Sequence, residues 1–525
     1  MFGAPDVACA TVTETPRAVS GPGPGPGPGP GPFPRPSLEG LAAHRFGLTR
    51  FRPGQRELLE AVLAGQDALG VLPTGGGKSL VYQLAALFFE QPVVVVSPLL
   101  ALMKDQVEHL ARAHVRAVQL DSTLSAQDER SARARIRRGE HDLVYVTPER
   151  LATRACLAEL REAGVSLLAI DEAHCVTSWG HDFRPAYLRI AEAAAALGRP
   201  PIVALTATAT PETCRDIERE LGLRAPRIVR TSMMRPNLHF EVSRTVNDAA
   251  KRSALLRVLA QVRGVVLVYT ATVKTADALF AWLGALREPV ARYHAKMAPT
   301  EREASRARFM SGAVRVMVAT KAFGMGIDKP DIRAVVHYEA PDSLESYVQE
   351  AGRAGRDGEE ARAVLLYRHE DRRVQQFFAA KKYASAKEVQ KVCEQEAEEK
   401  GEADGGAGEE REEGERGEGE SVHGHGHVHV YGERGEEGPD WRERLRGVAE
   451  ATGISERRVG VVLAHADCVR RERQGERLDA KALAAAIEAR FVVCRARDRA
   501  RLDAMAHYAE CVSGRERRMA AYFGE

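Results

Sequence analysis

Short unbroken apolar runs recur along the chain, at 68–72, 93–96, 143–146, 167–170, 202–205, 265–269, 316–319, 334–337 and 364–367. The gaps between them leave room for a helix each time. Strands buried on both faces read as continuous apolar runs, where half-exposed strands alternate. Strand–helix alternation predicts parallel α/β sheets, whose ligands bind outside the C-terminal strand ends. Polar motifs follow these runs. The pattern is absent from 1–37, which carries six Gly-Pro repeats from Gly21 to Pro32, a disordered tether by composition. It divides the rest into a first α/β lobe (38–226), a second lobe (227–370), a helical start (371–393), an acidic insertion (394–440) and a further helical segment (441–525).

The run at 68–72 leads into Thr74-Gly-Gly-Gly-Lys-Ser79 and then an apolar helical stretch. Strand, Gly-rich turn, Lys-Ser and helix form a phosphate cradle. Gly75, Gly76 and Gly77 let backbone N–H groups face a triphosphate, and the helix N-terminus adds positive potential. Lys78 then reaches the β and γ phosphates of ATP, and Ser79 holds Mg²⁺. The strict pattern wants glycine at 72, where this chain has leucine. Upstream, Arg52 and Gln55 suit an adenine edge, the Gln amide pairing donor with acceptor. Pro53-Gly-Gln55 also reads simply as a polar helix start.

After the run at 167–170 stands Asp171-Glu-Ala-His174. Buried acids are costly unless they meet a cation. With the cradle upstream, Asp171 is a Mg²⁺ ligand and Glu172 the group that orients and deprotonates water. The alternative is an acid-decorated helix start. Ser97, Lys104 and Gln106 follow the second run and Thr147 the third, suited to a sugar-phosphate backbone or to helix caps. Trp179, Phe183 and Arg184 suit base stacking, or a loop packed on itself. Thr206 and Thr208 suit a bridge from the acidic pair to the second lobe. That lobe has no cradle of its own, so it is expected to complete the first lobe's site. Arg353 and Arg356 share a helix face and flank glycines. They supply charge to a γ-phosphoryl group, or form surface ion pairs.

Composition adds a charge split. Residues 394–440 hold 17 acids against 4 bases, a net −13, so the remainder carries +15 and suits a polyanion. The eight cysteines include no C-x-x-C pair, which fits reduced thiols in an intracellular protein. No apolar run is long enough to span a membrane.

Together, Phe51-Arg-Pro-Gly-Gln55, the cradle, Asp171–His174 running into Trp179-Gly-His-Asp-Phe-Arg-Pro185, Phe323-Gly-Met-Gly-Ile-Asp-Lys-Pro330 and Gln349-Glu…Gly-Arg-Ala-Gly-Arg-Asp-Gly358 resemble the core of the RecQ DNA helicases of superfamily 2. The resemblance covers about 38–380. It implies two tandem RecA-like lobes, and ATP hydrolysis coupled to 3′-to-5′ movement on single-stranded and forked DNA, with repair or recombination as the setting. It implies Arg356 as the arginine finger and Arg353 as the link between lobes and DNA. It also implies nucleotide contacts at Gly326 and Asp328, and DNA or coupling roles for Thr320 and Gln349. Ser178, Ala85 and Lys296 stand where the family usually has Gln, Pro and Gly.

The tail departs further. In the family a helical zinc-binding region follows the core. Here 515–525 resembles part of it, but Gly514 occupies the first ligand position and the later cysteines are missing. No structural zinc is expected, and the chain reads as a fragment or a truncated gene model. The insertion is expected to be disordered, with alternating His423, His425, His427 and His429 as a solvated tract or a weak chelator. A monomer is expected, in the nucleus or an organelle of a eukaryote, or in the cytoplasm of a bacterium. A DEAH-type RNA helicase and a DNA-binding or annealing ATPase with little unwinding are the rival readings.

Overall fold

The protein is described by a computed structural model that covers residues 37–120, 126–177, 184–324, 329–405, 441–473, 476 and 478–525. It divides into two compact units, meeting in sequence at Thr49 and Arg50. In the first, Ser37 caps the helix Leu38–Phe46 by accepting from Gly40 N (3.0 Å), and Gly47 ends it at φ +66°.

The second unit holds two all-parallel sheets. The first contains β1 (Ala68–Val71), β2 (Val93–Val96), β3 (Ala117–Leu120), β4 (Leu143–Val146), β5 (Leu167–Ile170), β6 (Ile202–Thr206) and β7 (Arg227–Arg230), in the order β3-β4-β2-β5-β6-β1-β7. The second contains β8 (Leu238–Arg244), β9 (Val265–Tyr269), β10 (Val290–Tyr293), β11 (Val316–Ala319), β12 (Ile332–His337) and β13 (Ala361–Tyr367), in the order β10-β11-β9-β12-β13-β8. Each is a RecA-like lobe with helices on both faces. Because β7 pairs with β1, residues 227–230 extend the first sheet. Strand order brings the C-terminal ends of β1, β6 and β5 side by side, with Val71 beside Thr206 and Ile170 beside Ala204.

The helices Asp371–Ala380, Ala386–Gly405, Trp441–Thr452, Glu456–Glu472, Ala480–Glu510 and Arg515–Phe523 form one further body. Its core joins Val389, Val392, Val448, Val459, Leu463, Ile487 and Phe491. The helix that starts at Ala386 continues to Gly405, past the insertion boundary expected at 394. Its Glu, Gln, Ala and Lys residues are good helix formers, whatever their charge. Glu396 is buried there, paired with Arg444 and with Arg470 (2.8 Å).

This body touches both lobes. Arg497 pairs with Glu212 (2.5 Å) in the first lobe, and Tyr522 donates to Glu345 (2.9 Å) in the second. Between the lobes, the Glu525 carboxylate accepts from Ser232 Oγ (2.8 Å) and Met233 N (2.7 Å).

Candidate functional site

The turn after β1 is set by Gly75 (φ +80°) and Gly77 (φ +73°). A side chain at either position would be strained. Lys78 and Ser79 open the helix Ser79–Ala85. Burial pulls the Lys78 ammonium down from its usual range; Glu172 and Asp171 oppose this, and Arg356 adds to it. Four charged groups from three segments therefore share one field.

Asp171 follows β5 and is buried. Burial pushes its carboxyl up, Glu172 adds to the rise, and Lys78 opposes it. Glu172 has left-handed backbone (φ 48°), uncommon for a residue with a Cβ. Its Oε2 is buried and lies 3.4 Å from His174 Nδ1. That nitrogen is instead engaged by Thr206 Oγ1 at 3.0 Å, so Oε2 has no hydrogen bond among the described residues. A buried and a half-buried carboxylate beside a lysine are a donor set that fits a hard divalent cation with phosphate oxygens. Ser79 opens the helix after the loop and Asp171 follows β5, and these two would hold such a cation.

The second lobe closes on this loop. A Cβ on Gly75 would lie 3.6 Å from Arg356 Cγ and 3.7 Å from Arg235 Nη1. A Cβ on Gly352 would stand 2.7 Å from Thr74 Cβ, so glycine is what permits the approach. Arg353 is buried in the second lobe; a Cβ on Gly324 would lie 3.0 Å from its Nη2 and 3.2 Å from Tyr269 Oη.

Several of the candidate residues make hydrogen bonds within the protein. Gln55 is buried, its Nε2 donates to Gly77 O (2.8 Å), and its Oε1 accepts from Arg52 N (2.7 Å). Arg52 donates to Gly75 O. Both residues latch the phosphate loop. The reason is proximity: the latch carbonyls stand where the turn exposes them. Thr147 caps the next helix by accepting from Arg150 N (3.2 Å), and Gln106 accepts from Gln83 (2.5 Å). Arg184 donates to Pro98 O (3.1 Å). Thr206 serves His174 inside the first lobe, where a bridge to the second was expected. Ser97 and Thr208 are buried, and neither hydroxyl has a hydrogen bond among the described residues.

Lys104 is exposed and feels Glu303 across the lobes. Thr320 follows β11, and Gln349 lies in the last turn of Leu344–Ala351, both half-buried. Trp179, Phe183, Gly326 and Asp328, with Ser178, lie outside the described residues. Cys511 Sγ donates to Ser513 O (2.7 Å) and accepts from Arg518 Nε (3.0 Å).

One residue was missed. Arg235 lies between the lobes and joins Arg52 and Arg356 around Gly75. The sequence signal was a basic, Pro-containing linker, which does not say where one arginine will point.

A cavity of about 360 Å³ opens where the strand ends of the second lobe face the helical body, lined by Thr270, Lys321, Gln375, Phe378, Lys381 and Arg457 among others. Phe377 and Phe378 beside it are 53% and 46% exposed, and Lys381 Nζ lies 4.2 Å from the Phe377 ring centre.

Fold and site together define a core of two RecA-like lobes with a phosphate loop facing the second lobe. Residues 52–217 match the DEAD/DEAH box helicase family model, and 250–358 the helicase conserved C-terminal domain. The chain is 43% identical to the ATP-dependent DNA helicase RecQ of Bacillus subtilis over 65% of its own length and 57% of that protein. It is 38% identical to the ATP-dependent DNA helicase RecQ of Synechocystis over 68% of its own length and 78% of that protein. In structure it is similar to the Mycobacterium smegmatis helicase Lhr solved with ssDNA and AMP-PNP (TM-score 0.53, 23% identity, 65% of this chain and 49% of that one). The chain belongs to the RecQ family of superfamily 2 helicases. It spans little more than half the length of the Bacillus relative.

Proposed function

We propose that the chain is an ATP-driven DNA helicase that moves 3′-to-5′ on single-stranded DNA and opens duplexes during repair or recombination. The observation that carries this is the composite site, in which Lys78, Asp171 and Glu172 of one lobe share a field with Arg356 of the other. In this reading Lys78 binds the β and γ phosphates of substrate ATP. Glu172, with a buried oxygen lacking a hydrogen bond among the described residues, takes the proton of the attacking water. Arg356 offsets charge on the transferred group. Mg²⁺, held by Ser79 and Asp171, supplies further charge neutralisation when bound. Hydrolysis then loosens contacts such as Gly352 against Thr74, and lobe motion advances the strand. The aromatic and lysine surface at Phe377, Phe378 and Lys381 suits a strand leaving the second lobe.

The rival is a DNA-stimulated ATPase with little unwinding. It is favoured by the helical body, which ties both lobes and would resist their separation. The test is ATP hydrolysis with no nucleic acid, single-stranded DNA or single-stranded RNA, followed by unwinding of a forked duplex. DNA-stimulated hydrolysis with unwinding, both lost in Lys78→Ala, is the expected result. Stimulation without unwinding selects the rival, and stimulation by RNA alone overturns the DNA assignment.

A further inference from the structure

Three arginines converge on Gly75, two of them already given roles by their position: Arg52 as a latch on the loop and Arg356 as the charge from the second lobe. Arg235 belongs to neither sheet. It sits in the connection between β7 and β8 and spends its guanidinium on the backbone that carries Arg356. Nη1 donates to Gly355 O (3.3 Å) and Nη2 donates to Ala354 O. Asn237, two residues on, donates to the same Gly355 O (2.8 Å) and to Glu359 O (2.8 Å).

The turn these groups hold is one that only glycine fits without strain. Gly355 has φ +60°, and a Cβ there would meet Asn237 Nδ2 at 2.7 Å and Glu359 O at 2.8 Å. The backbone between Ala354 and Arg356 is thus fixed from the linker side by two side chains. The same Arg235 guanidinium lies 3.7 Å from a Cβ position on Gly75, so one side chain holds the turn and lies beside the loop it faces. Burial and the neighbouring Arg356 and Arg52 pull Arg235 down to about 10, with Asp357 opposing. Crowding of like charge at this cost calls for a compensating anion.

We propose that Arg235 is a positioning residue for hydrolysis: it clamps the Ala354–Gly355 turn to the interlobe linker and so sets Arg356 against the phosphate loop. The proposal rests on the nucleotide-site reading above. It makes the linker part of the active site. A planar fork can serve two successive carbonyls, whereas an ammonium is a single point.

The test is steady-state ATP hydrolysis by Arg235→Lys, Arg235→Ala, Arg356→Ala and the Arg235→Ala/Arg356→Ala pair in the full chain, with binding of a fluorescent ADP as the check on folding. Wild-type hydrolysis is measured first, and its absence would sink the functional reading before this one is reached. With wild type active, Arg235→Lys and Arg235→Ala should each lower kcat about tenfold or more with KM for ATP within about threefold. ADP binding should be kept. The pair should be no slower than Arg356→Ala alone, because Arg235 acts through Arg356. Wild-type kcat in Arg235→Lys would overturn the fork, and full additivity in the pair would overturn action through Arg356. Should Arg235→Ala fail to bind ADP, Arg235→Lys alone decides.

Discussion

Glu172 shows how one residue carries a functional demand. Left-handed backbone costs a residue with a Cβ about 1 kcal/mol, and burying an unsatisfied oxygen costs more. Both are tolerated directly after β5, where a carboxylate faces Lys78. Glu172→Gln keeps the shape and removes the base. It should bind ATP normally and lose about 10²–10⁴ in kcat, read by nucleotide titration and steady-state hydrolysis; a kcat within threefold of wild type would remove Glu172 from the chemistry. Lys78, Ser79, Asp171 and Arg356 were legible in the sequence because glycine spacing and acid placement constrain chemistry locally. The roles of Arg52 and Gln55 as latches were not, since an amide suits a backbone carbonyl as well as a base. Arg235 was invisible for a similar reason: its partners lie about 120 residues away.

Among elements, the runs legible in sequence are the interior strands. The strands that escaped notice, β3, β7, β8 and β10, are the four edges of the two sheets. An edge strand meets solvent on one side, so sequences such as Arg-Ile-Val-Arg or Val-Ala-Arg-Tyr break the apolar run. The helical body is legible in its separate helices but not in its assembly, which pairs segments on either side of 406–440. A testable feature of this body is His465, fully buried beside Phe491. Burial, then Arg490 and Lys382, hold its imidazole down to about 3. In an unfolded chain it takes a proton near pH 6.5. The unfolded state therefore binds more protons below pH 6.5, and stability falls as pH drops from there towards 3. The slope is about 1.4 kcal/mol per pH unit. Between pH 6.5 and 5 the slopes of wild type and His465→Phe in denaturant unfolding should differ by about this amount; an equal slope in the variant would refute the assignment.

At the scale of the molecule, three bodies meet at the connection between the lobes. Arg230 of β7 donates to Phe523 O and to Ala209 O (3.3 Å), Glu525 holds Ser232 and Met233, and Arg235 holds the turn before Arg356. These contacts link the interlobe connection to the helical body and to the nucleotide site. This composite site is the central claim, and hydrolysis by Arg356→Ala tests it most directly. Single-turnover hydrolysis of bound ATP with saturating single-stranded DNA, beside a nucleotide titration, separates chemistry from binding. The account predicts ATP binding within about threefold of wild type and hydrolysis slower by about 10³-fold or more. Hydrolysis at the wild-type rate would mean that the second lobe contributes nothing to the chemistry, and the composite site would fall.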